Sequence, residues 1–231
     1  MKVGILSDIH ANYFALKSVL HDCRREKIER LLVLGDTIGY YYWPEETIEM
    51  LLNYDPDAII IKGNHEQVLC DQDHKSLVKY FEKFGSGLKY ALNMKRDLLD
   101  FILSRPNRLS FTLDGLKITI AHGTIEKNDE YIYPNTEIKK LETIPRNNDF
   151  VFYGHTHYPF FYAMGSRCLA NPGSVGQPRD FGYIASYFIL NTKNRVLVPR
   201  RVLFDIQPLV DMAVSVDPHV PYLANIFWRN R

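Results

Sequence analysis

Five short sequence blocks place histidine, carboxylate and amide side chains directly after apolar runs. The blocks are Asp8-Ile9-His10, Gly35-Asp36, Gly63-Asn64-His65-Glu66, Ala121-His122-Gly123 and Gly154-His155-Thr156-His157. Imidazole and carboxylate groups without thiolate favour divalent manganese, iron, zinc or nickel. Seven side chains are candidate metal ligands: Asp8, His10, Asp36, Asn64, His122, His155 and His157. They are too many for one tetrahedral ion and about right for two ions that share a carboxylate.

Each block taken alone also has a purely structural explanation. Asp8 could cap the helix that follows it, and His122 could be a core histidine with its hydrogen bonds satisfied. His155 and His157 are harder to explain in this way, because a strand directs alternate side chains to one face. The chain has eight histidines, and five of them fall in the blocks. The other three, His21, His74 and His219, are interpreted as structural or surface residues.

The elements that must position these blocks alternate along the first third of the chain. Short apolar runs at 2–7, 31–34 and 58–61 predict strands, and helical spacing at 14–27 and 44–52 predicts helices between them. This order favours a parallel sheet, and sites in such sheets form beyond the carboxyl ends of the strands. We therefore expect the polar blocks to meet at one edge.

The remainder of the chain predicts a helical insertion followed by strands. The insertion covers about 68–104 and is interrupted at Gly85-Ser86-Gly87, and Asp114-Gly115 predicts a hairpin over 109–121. Further strands are predicted at 150–153, 160–164, 167–170, 183–190 and 195–204, with helices near 136–141 and 222–228. No repeat or linker divides the sequence. We expect one α/β domain over 1–231 (α+β by some schemes), with two packed mixed β-sheets flanked by helices.

Composition and charge argue against several classes of protein. No run approaches the roughly 18 apolar residues of a membrane span, so no membrane association is expected. The net charge of +1 lacks the basic excess typical of duplex nucleic-acid binding, but leaves a nucleotide or a short phosphodiester as a substrate. Three widely spaced cysteines predict neither disulfides nor a thiolate site, and a cytoplasmic location fits best.

The order of the blocks resembles the signature of the calcineurin-like metallophosphoesterase superfamily. That signature reads Asp-x-His, Gly-Asp, Gly-Asn-His-Asp/Glu, a later His and Gly-His-x-His, and all five parts occur in order over 8–157. The Asn-Pro-Gly-Ser-Val-Gly-Gln-Pro-Arg stretch at 171–179 resembles the YfcE-like branch of small phosphodiesterases. The resemblance implies an αββα metallophosphoesterase sandwich. It also implies a metal-dependent phosphoester hydrolase, a phosphodiesterase before a phosphomonoesterase or nucleotide phosphatase.

The resemblance assigns roles to the candidate residues. It implies one ion held by Asp8, His10, Asp36 and His157, and a second held by Asp36, Asn64, His122 and His155. Manganese is the first choice, with iron, zinc or nickel as alternatives. A hydroxide bridging the two ions would attack phosphorus, and His65 would stabilise or protonate the leaving oxygen without being a ligand. Glu66 either orients His65 or is a solvated neighbour.

Asn12 and Arg179 are further candidates for substrate binding. Asn12 could instead cap the first helix. Arg179 could hold a phosphate with two hydrogen bonds, or pair with Asp180 at the surface. The aromatic run at 40–43 packs near the mouth of the site or stacks on a ring of the substrate.

Two departures from the family pattern limit the resemblance. The phosphoprotein phosphatases of the superfamily carry Asp-Arg-Gly shortly after Gly-Asp, whereas this chain has Gly39-Tyr40-Tyr41 and so lacks their phosphate-binding arginine. The YfcE-like branch has glycine where this chain has Ala11, which matters only if the backbone there needs a positive φ.

Other functions are compatible with the same sequence. A catalytically weak scaffold on the same fold is the rival, and His65 argues against it, because a retromer coat subunit that resembles the family lacks this histidine. The insertion could also serve as a lid or docking surface in a regulatory nucleotide hydrolase. An aromatic tail, with Tyr222, Phe227 and Trp228, leaves a homo-oligomer possible.

Overall fold

Two five-stranded β-sheets form the centre of the molecule. A computed structural model of the chain describes residues 1–71, 73–137 and 147–230. The first sheet has the order β10-β9-β1-β2-β3 and the second the order β4-β5-β6-β8-β7. The strands are β1 (Lys2–Leu6), β2 (Arg30–Val33), β3 (Ile59–Ile60), β4 (Arg108–Leu113), β5 (Leu116–Ala121), β6 (Phe150–Phe152), β7 (Pro159–Met164), β8 (Arg167–Pro172), β9 (Ile184–Asn191) and β10 (Val196–Leu203).

Helices cover the outer side of the first sheet. They are α1 (Tyr13–Glu26), α2 (Pro44–Tyr54), α3 (Asn64–Asp71), α4 (His74–Phe84), α5 (Gly87–Leu92), α6 (Arg96–Leu103), α7 (Gln207–Val216) and α8 (Tyr222–Asn225), followed by a 3-10 turn at Ile226–Trp228. No helix in the described part of the chain has both the length and the apolarity needed to span a lipid bilayer.

Alternating side chains of β1 contribute to two separate apolar layers. On β1, Val3 and Ile5 point toward the second sheet and pack in one cluster with Ile118, Ile120 and Phe152. The opposite face of the first sheet packs against the helices in a larger cluster. Both sheets mix parallel and antiparallel pairs. The prediction of two packed mixed sheets flanked by helices is therefore confirmed.

The parallel strands bring the five polar blocks to one edge. β1, β2 and β3 are parallel in the first sheet, and β5, β6 and β8 are parallel in the second. Each block begins within two or three residues of the carboxyl end of one of these strands, or at that end itself. The parallel order predicted for the first third is thus the feature that gathers the site.

Most predicted elements are present, with two differences. The hairpin of β4 and β5 is confirmed, and its turn places Asp114 at φ 49° and Gly115 at φ 79°. The helical segment starts earlier than predicted, because α3 begins at Asn64. Helix α7 was not predicted. For the helix expected near 136–141, residues 138–141 lie outside the described residues.

Candidate metal centre

The side chains of the five blocks converge on one buried cluster. The Nε2 atom of His157 lies 3.2 Å from Oδ1 of Asp8, and 3.1 Å from Nε2 of His10. The Nε2 atom of His10 is 3.9 Å from Oδ2 of Asp36. These four residues form one set of donor atoms, with the membership that the family resemblance implies for the first ion.

A second set of donor atoms lies on the other side of Asp36. The Nε2 atom of His122 is 3.1 Å from Oδ2 of Asp36 and 3.0 Å from Oδ1 of Asn64. Candidate ligand atoms of Asp36, His122 and His155 all lie within 4.8 Å of one another. All seven predicted ligands are thus brought together, and Asp36 belongs to both sets. Their assignment as ligands stays a prediction.

The backbone is strained where it presents several of these side chains. Five candidate ligands have left-handed φ angles: Asp8 (54°), His10 (52°), Asp36 (51°), His155 (68°) and His157 (63°). Residues other than glycine adopt this region at a cost of about 1–2 kcal/mol each. Such strain persists only where the surroundings impose it, and it concentrates at functional sites.

Backbone carbonyls fix the imidazole rings of the four candidate ligand histidines. His10 Nδ1 donates to Ile38 O (3.3 Å), His122 Nδ1 to Leu34 O (2.7 Å), His157 Nδ1 to Gln177 O (2.6 Å) and His155 Nε2 to Asp129 O (3.2 Å). A carbonyl only accepts, so the ring nitrogen in each bond carries the proton. The opposite nitrogen of a neutral ring then has a free lone pair, which is the arrangement of histidines that bind metals.

The resulting donor set fits divalent cations. The Nε2 atoms of His10 and His157 face each other at 3.1 Å with lone pairs on both atoms, and two unprotonated nitrogens at this distance repel each other. The buried Oδ1 of Asp8 has no hydrogen-bond partner among the described residues. A cation between these atoms would remove both costs, and imidazole with carboxylate suits first-row divalent ions.

Charge within the cluster also favours a cation. The His122 imidazole holds the pKa of Asp36 well below its usual range, although burial alone would raise it. Burial lowers the pKa of His65 and of His155 to about 4, so these rings are neutral. His122 is the exception, because Asp36 outweighs burial and raises its pKa to about 9. Among these three imidazoles, only that of His122 carries a positive charge to balance the negative charge of Asp36.

Glu66 braces two turns and does not orient His65. Its carboxylate accepts hydrogen bonds from the backbone N–H groups of Gly63, Asp36, Thr37 and Ile38, and from the Thr37 hydroxyl. The two turns can lie this close together because residue 63 is glycine: a Cβ at Gly63 would lie 2.0 Å from Oδ1 of Asp36. The expectation that Glu66 orients His65 or is solvated is wrong, because its oxygens are buried and bind the backbone.

His65 lies beside the cluster at the first turn of α3. Its Nε2 is 3.7 Å from Oδ2 of Asp36, and its Nδ1 is 2.5 Å from the hydroxyl of Tyr80 on α4. Sequence reasoning missed Tyr80, because nothing in the spacing of α4 distinguishes this residue from an apolar packing position. Tyr131 was also missed, and its ring stacks on His155 with centroids 4.1 Å apart.

Of the two candidates for substrate binding, Asn12 is engaged within the protein. Its Oδ1 accepts a hydrogen bond from the Ala15 N–H at the start of α1, and its Nδ2 donates to Gly176 O. The structure therefore supports helix capping, and contact of Asn12 with substrate stays a prediction.

Arg179 lies close to the cluster and is the second candidate for substrate binding. Its buried Nε has no hydrogen-bond partner in the part of the chain that the structure describes. Although burial lowers the pKa of Arg179, the nearby Tyr40 and Asp8 raise it. Its alternative pairing with Asp180 is not observed, because Asp180 binds Arg201 at 2.8 Å. The position suits the binding of an anion next to the candidate metal ligands.

Ala11 and the aromatic run have clear structural roles. Ala11 adopts φ 53°, so the glycine of the YfcE-like branch is replaced here at a position where the backbone does need a positive φ.

Tyr41 is fully buried and stacks on Phe227 with centroids 5.4 Å apart. Tyr42 is also buried, and its hydroxyl donates to Asp217. These contacts support packing, rather than substrate stacking, for Tyr41 and Tyr42.

Comparison with known proteins identifies the family. The profile of the calcineurin-like phosphoesterase superfamily domain matches residues 1–195. An uncharacterised protein of Methanocaldococcus jannaschii is 29% identical over 92% of both chains. The phosphodiesterase YfcE of Escherichia coli is 25% identical over 83% of this chain and 88% of its own. The crystal structure of a metallophosphoesterase from Sphaerobacter thermophilus superposes with a TM-score of 0.80 at 27% identity, covering 99% of each chain. The chain therefore belongs to the calcineurin-like phosphoesterase superfamily.

Proposed function

We propose that this protein is a dinuclear metal-dependent phosphodiesterase. Its family consists of metal-dependent phosphoesterases, and a relative at 25% identity is named a phosphodiesterase. The observation that carries the proposal is the pair of donor sets that share Asp36. Asp8, His10 and His157 would hold one ion, and Asn64, His122 and His155 the other.

Two divalent cations in these sets would neutralise the oxygens of a phosphoester and lower the pKa of a water molecule toward about 7. The protein's own residues supply orientation. The carbonyls that bind the outer nitrogens of the histidines hold the rings in place, and Glu66 keeps the turns of Asp36 and Asn64 together.

His65 and Arg179 would act on the substrate itself. His65 lies next to Asp36 without belonging to either donor set of the proposal, so it can stabilise charge on an oxygen of the phosphoryl or leaving group. The buried Nε of Arg179 has no partner among residues 1–71, 73–137 and 147–230, and it can bind a phosphoryl oxygen in place of the arginine that phosphoprotein phosphatases carry elsewhere.

Several finer points belong to the same proposal. Manganese is the preferred ion, with iron, zinc or nickel as alternatives, because the donors are imidazole, carboxylate and amide. We propose a small diester substrate, with a nucleotide or monoester as the alternative. We also propose that the chain forms a single domain, that it is located in the cytoplasm and that it can form a homo-oligomer. The scaffold alternative is disfavoured because His65 is retained in the cluster.

The test is hydrolysis of bis-p-nitrophenyl phosphate and p-nitrophenyl phosphate with added Mn²⁺. We expect faster turnover of the diester, and a loss of about 10²- to 10⁴-fold in kcat for His65→Ala. His219→Ala, at an exposed histidine on the far tail, is the matched control and should retain activity. Bound metal without turnover of either ester would contradict the hydrolase and favour the scaffold.

A further inference from the structure

A buried tyrosine of the helical insertion contacts the candidate catalytic histidine. The Tyr80 hydroxyl lies 2.5 Å from Nδ1 of His65, and the two residues are 5% and 3% exposed. Their rings meet edge to face, with centroids 5.2 Å apart. Tyr80 belongs to none of the five sequence blocks, and the function proposed above assigns it no part.

The hydroxyl of Tyr80 is the donor in this hydrogen bond. A neutral imidazole has one N–H group, and its other nitrogen accepts. If Nδ1 of His65 carried the proton, the hydroxyl proton of Tyr80 would need another acceptor, and none is found among residues 1–71, 73–137 and 147–230. With the hydroxyl as donor both groups are satisfied. Burial raises the pKa of Tyr80 well above its ordinary value, so the hydroxyl keeps its proton.

The consequence is that His65 presents a proton where His10 and His157 present lone pairs. His10 and His157 each donate the N–H group of Nδ1 to a backbone carbonyl, which leaves Nε2 free for a cation. His65 instead accepts at Nδ1, so Nε2 carries the N–H group, 3.7 Å from Oδ2 of Asp36. One histidine of the cluster thereby carries its proton on the ring nitrogen that faces the candidate metal ligands.

We propose that Tyr80 is a positioning residue that fixes the tautomer of His65 with the proton on Nε2, so that His65 donates a hydrogen bond to an oxygen of the substrate. The inference rests on the proposed function and adds one residue to it. No bond is broken and no proton is transferred in this role. The insertion then contributes to the active site from α4 as well as covering the sheet.

A double-mutant cycle tests whether Tyr80 acts through His65. Tyr80→Phe keeps the ring packing and removes one hydroxyl, and we expect it to lower kcat on bis-p-nitrophenyl phosphate about 10-fold, the scale of one hydrogen bond. In a His65→Ala background the same change should alter kcat by less than about 2-fold, since coupled residues are not additive. Tyr54→Phe, which loses a hydroxyl bond to Ile28 O, is the matched control. Equal losses in both backgrounds, or no loss at all, would overturn the proposal.

A second measurement needs no turnover. ¹⁵N spectra of the metal-free, histidine-labelled full chain should show His65 with Nδ1 unprotonated and Nε2 protonated, assigned by the signals missing in His65→Ala. In Tyr80→Phe the two tautomers should become mixed. A protonated Nδ1 in the neutral ring of the wild type would overturn the proposal. If no ester is hydrolysed but the spectra are as expected, the proposed function fails while the tautomer assignment holds.

Discussion

At the scale of single residues, hydrogen-bond partners separate histidines that look alike in the sequence. His122 and His157 bind carbonyls through Nδ1, and the neutral ring of His157 so exposes a lone pair on Nε2, whereas His65 binds a hydroxyl through Nδ1 and exposes a proton on Nε2. The sequence predicts which histidines gather, because each follows a strand. The difference in partner could not be predicted, since Leu34 and Gln177 take part through their backbone oxygens and Tyr80 comes from a separate helix.

Arg179 gives a prediction at the same scale. Arg179→Gln removes a half-buried guanidinium beside the cluster, and we expect KM for bis-p-nitrophenyl phosphate to rise about 10- to 100-fold, because charge-assisted hydrogen bonds contribute about 1.5–3 kcal/mol. Inhibition by inorganic phosphate should weaken by a similar factor. Arg201→Gln, which loses an equal charge but pairs with Asp180, is the control. Equal effects of the two changes would argue against a phosphate contact.

At the scale of elements, the candidate site residues are positioned by the turns that follow the strands more than by the strands themselves. β2 and β3 end in turns that carry Asp36 and Asn64, and the buried Glu66 carboxylate joins these turns through backbone N–H groups. The Gly-Asn-His-Glu block was predicted as part of the site. The bracing role of its glutamate was not, because a carboxylate after a histidine also suits a solvent-exposed first helical turn.

We predict that Glu66→Gln lowers the free energy of unfolding by about 2–4 kcal/mol, because an amide replaces one accepting oxygen by a donor and leaves buried N–H groups unpaired. Urea denaturation of the metal-free chain measures this. Glu82→Gln, at an exposed position on α4, should change stability by less than about 0.5 kcal/mol. Similar stability of both variants would show that the brace is dispensable.

The helices differ in how accurately the sequence predicts them. α1 and α2 were predicted within one or two residues at each end, since apolar residues recur at helical spacing and Pro44 suits a first turn. α7 was missed because Pro208 and a nearly continuous apolar stretch hide its periodicity. The start of α3 was placed too late, since Asn64 and His65 were interpreted as part of a strand end.

At the scale of the whole molecule, the cluster connects two sheets that otherwise meet through apolar packing. Asp8, Asp36 and Asn64 come from the first sheet, and His122 and His157 from the second. Metal ions bound by residues of both sheets would therefore link the halves of the sandwich.

Removing the metal should consequently destabilise the protein. Mn²⁺ at 100 times its dissociation constant adds about 2.7 kcal/mol to the stability of the folded state. For a chain of this size we expect a rise in Tm of about 5–10 °C over the chelated protein. Thermal unfolding followed by circular dichroism measures the shift, and Asp36→Asn should reduce it sharply. An unchanged Tm would indicate that the cluster binds no metal tightly.

The most direct test of the account is anomalous X-ray diffraction from crystals grown with Mn²⁺. Two ions in the proposed site should give two anomalous peaks roughly 3.5–4 Å apart. One should lie among Asp8, His10 and His157, and the other among Asn64, His122 and His155, with Asp36 contacting both. A single peak outside these residues, or no peak at saturating Mn²⁺, would contradict it.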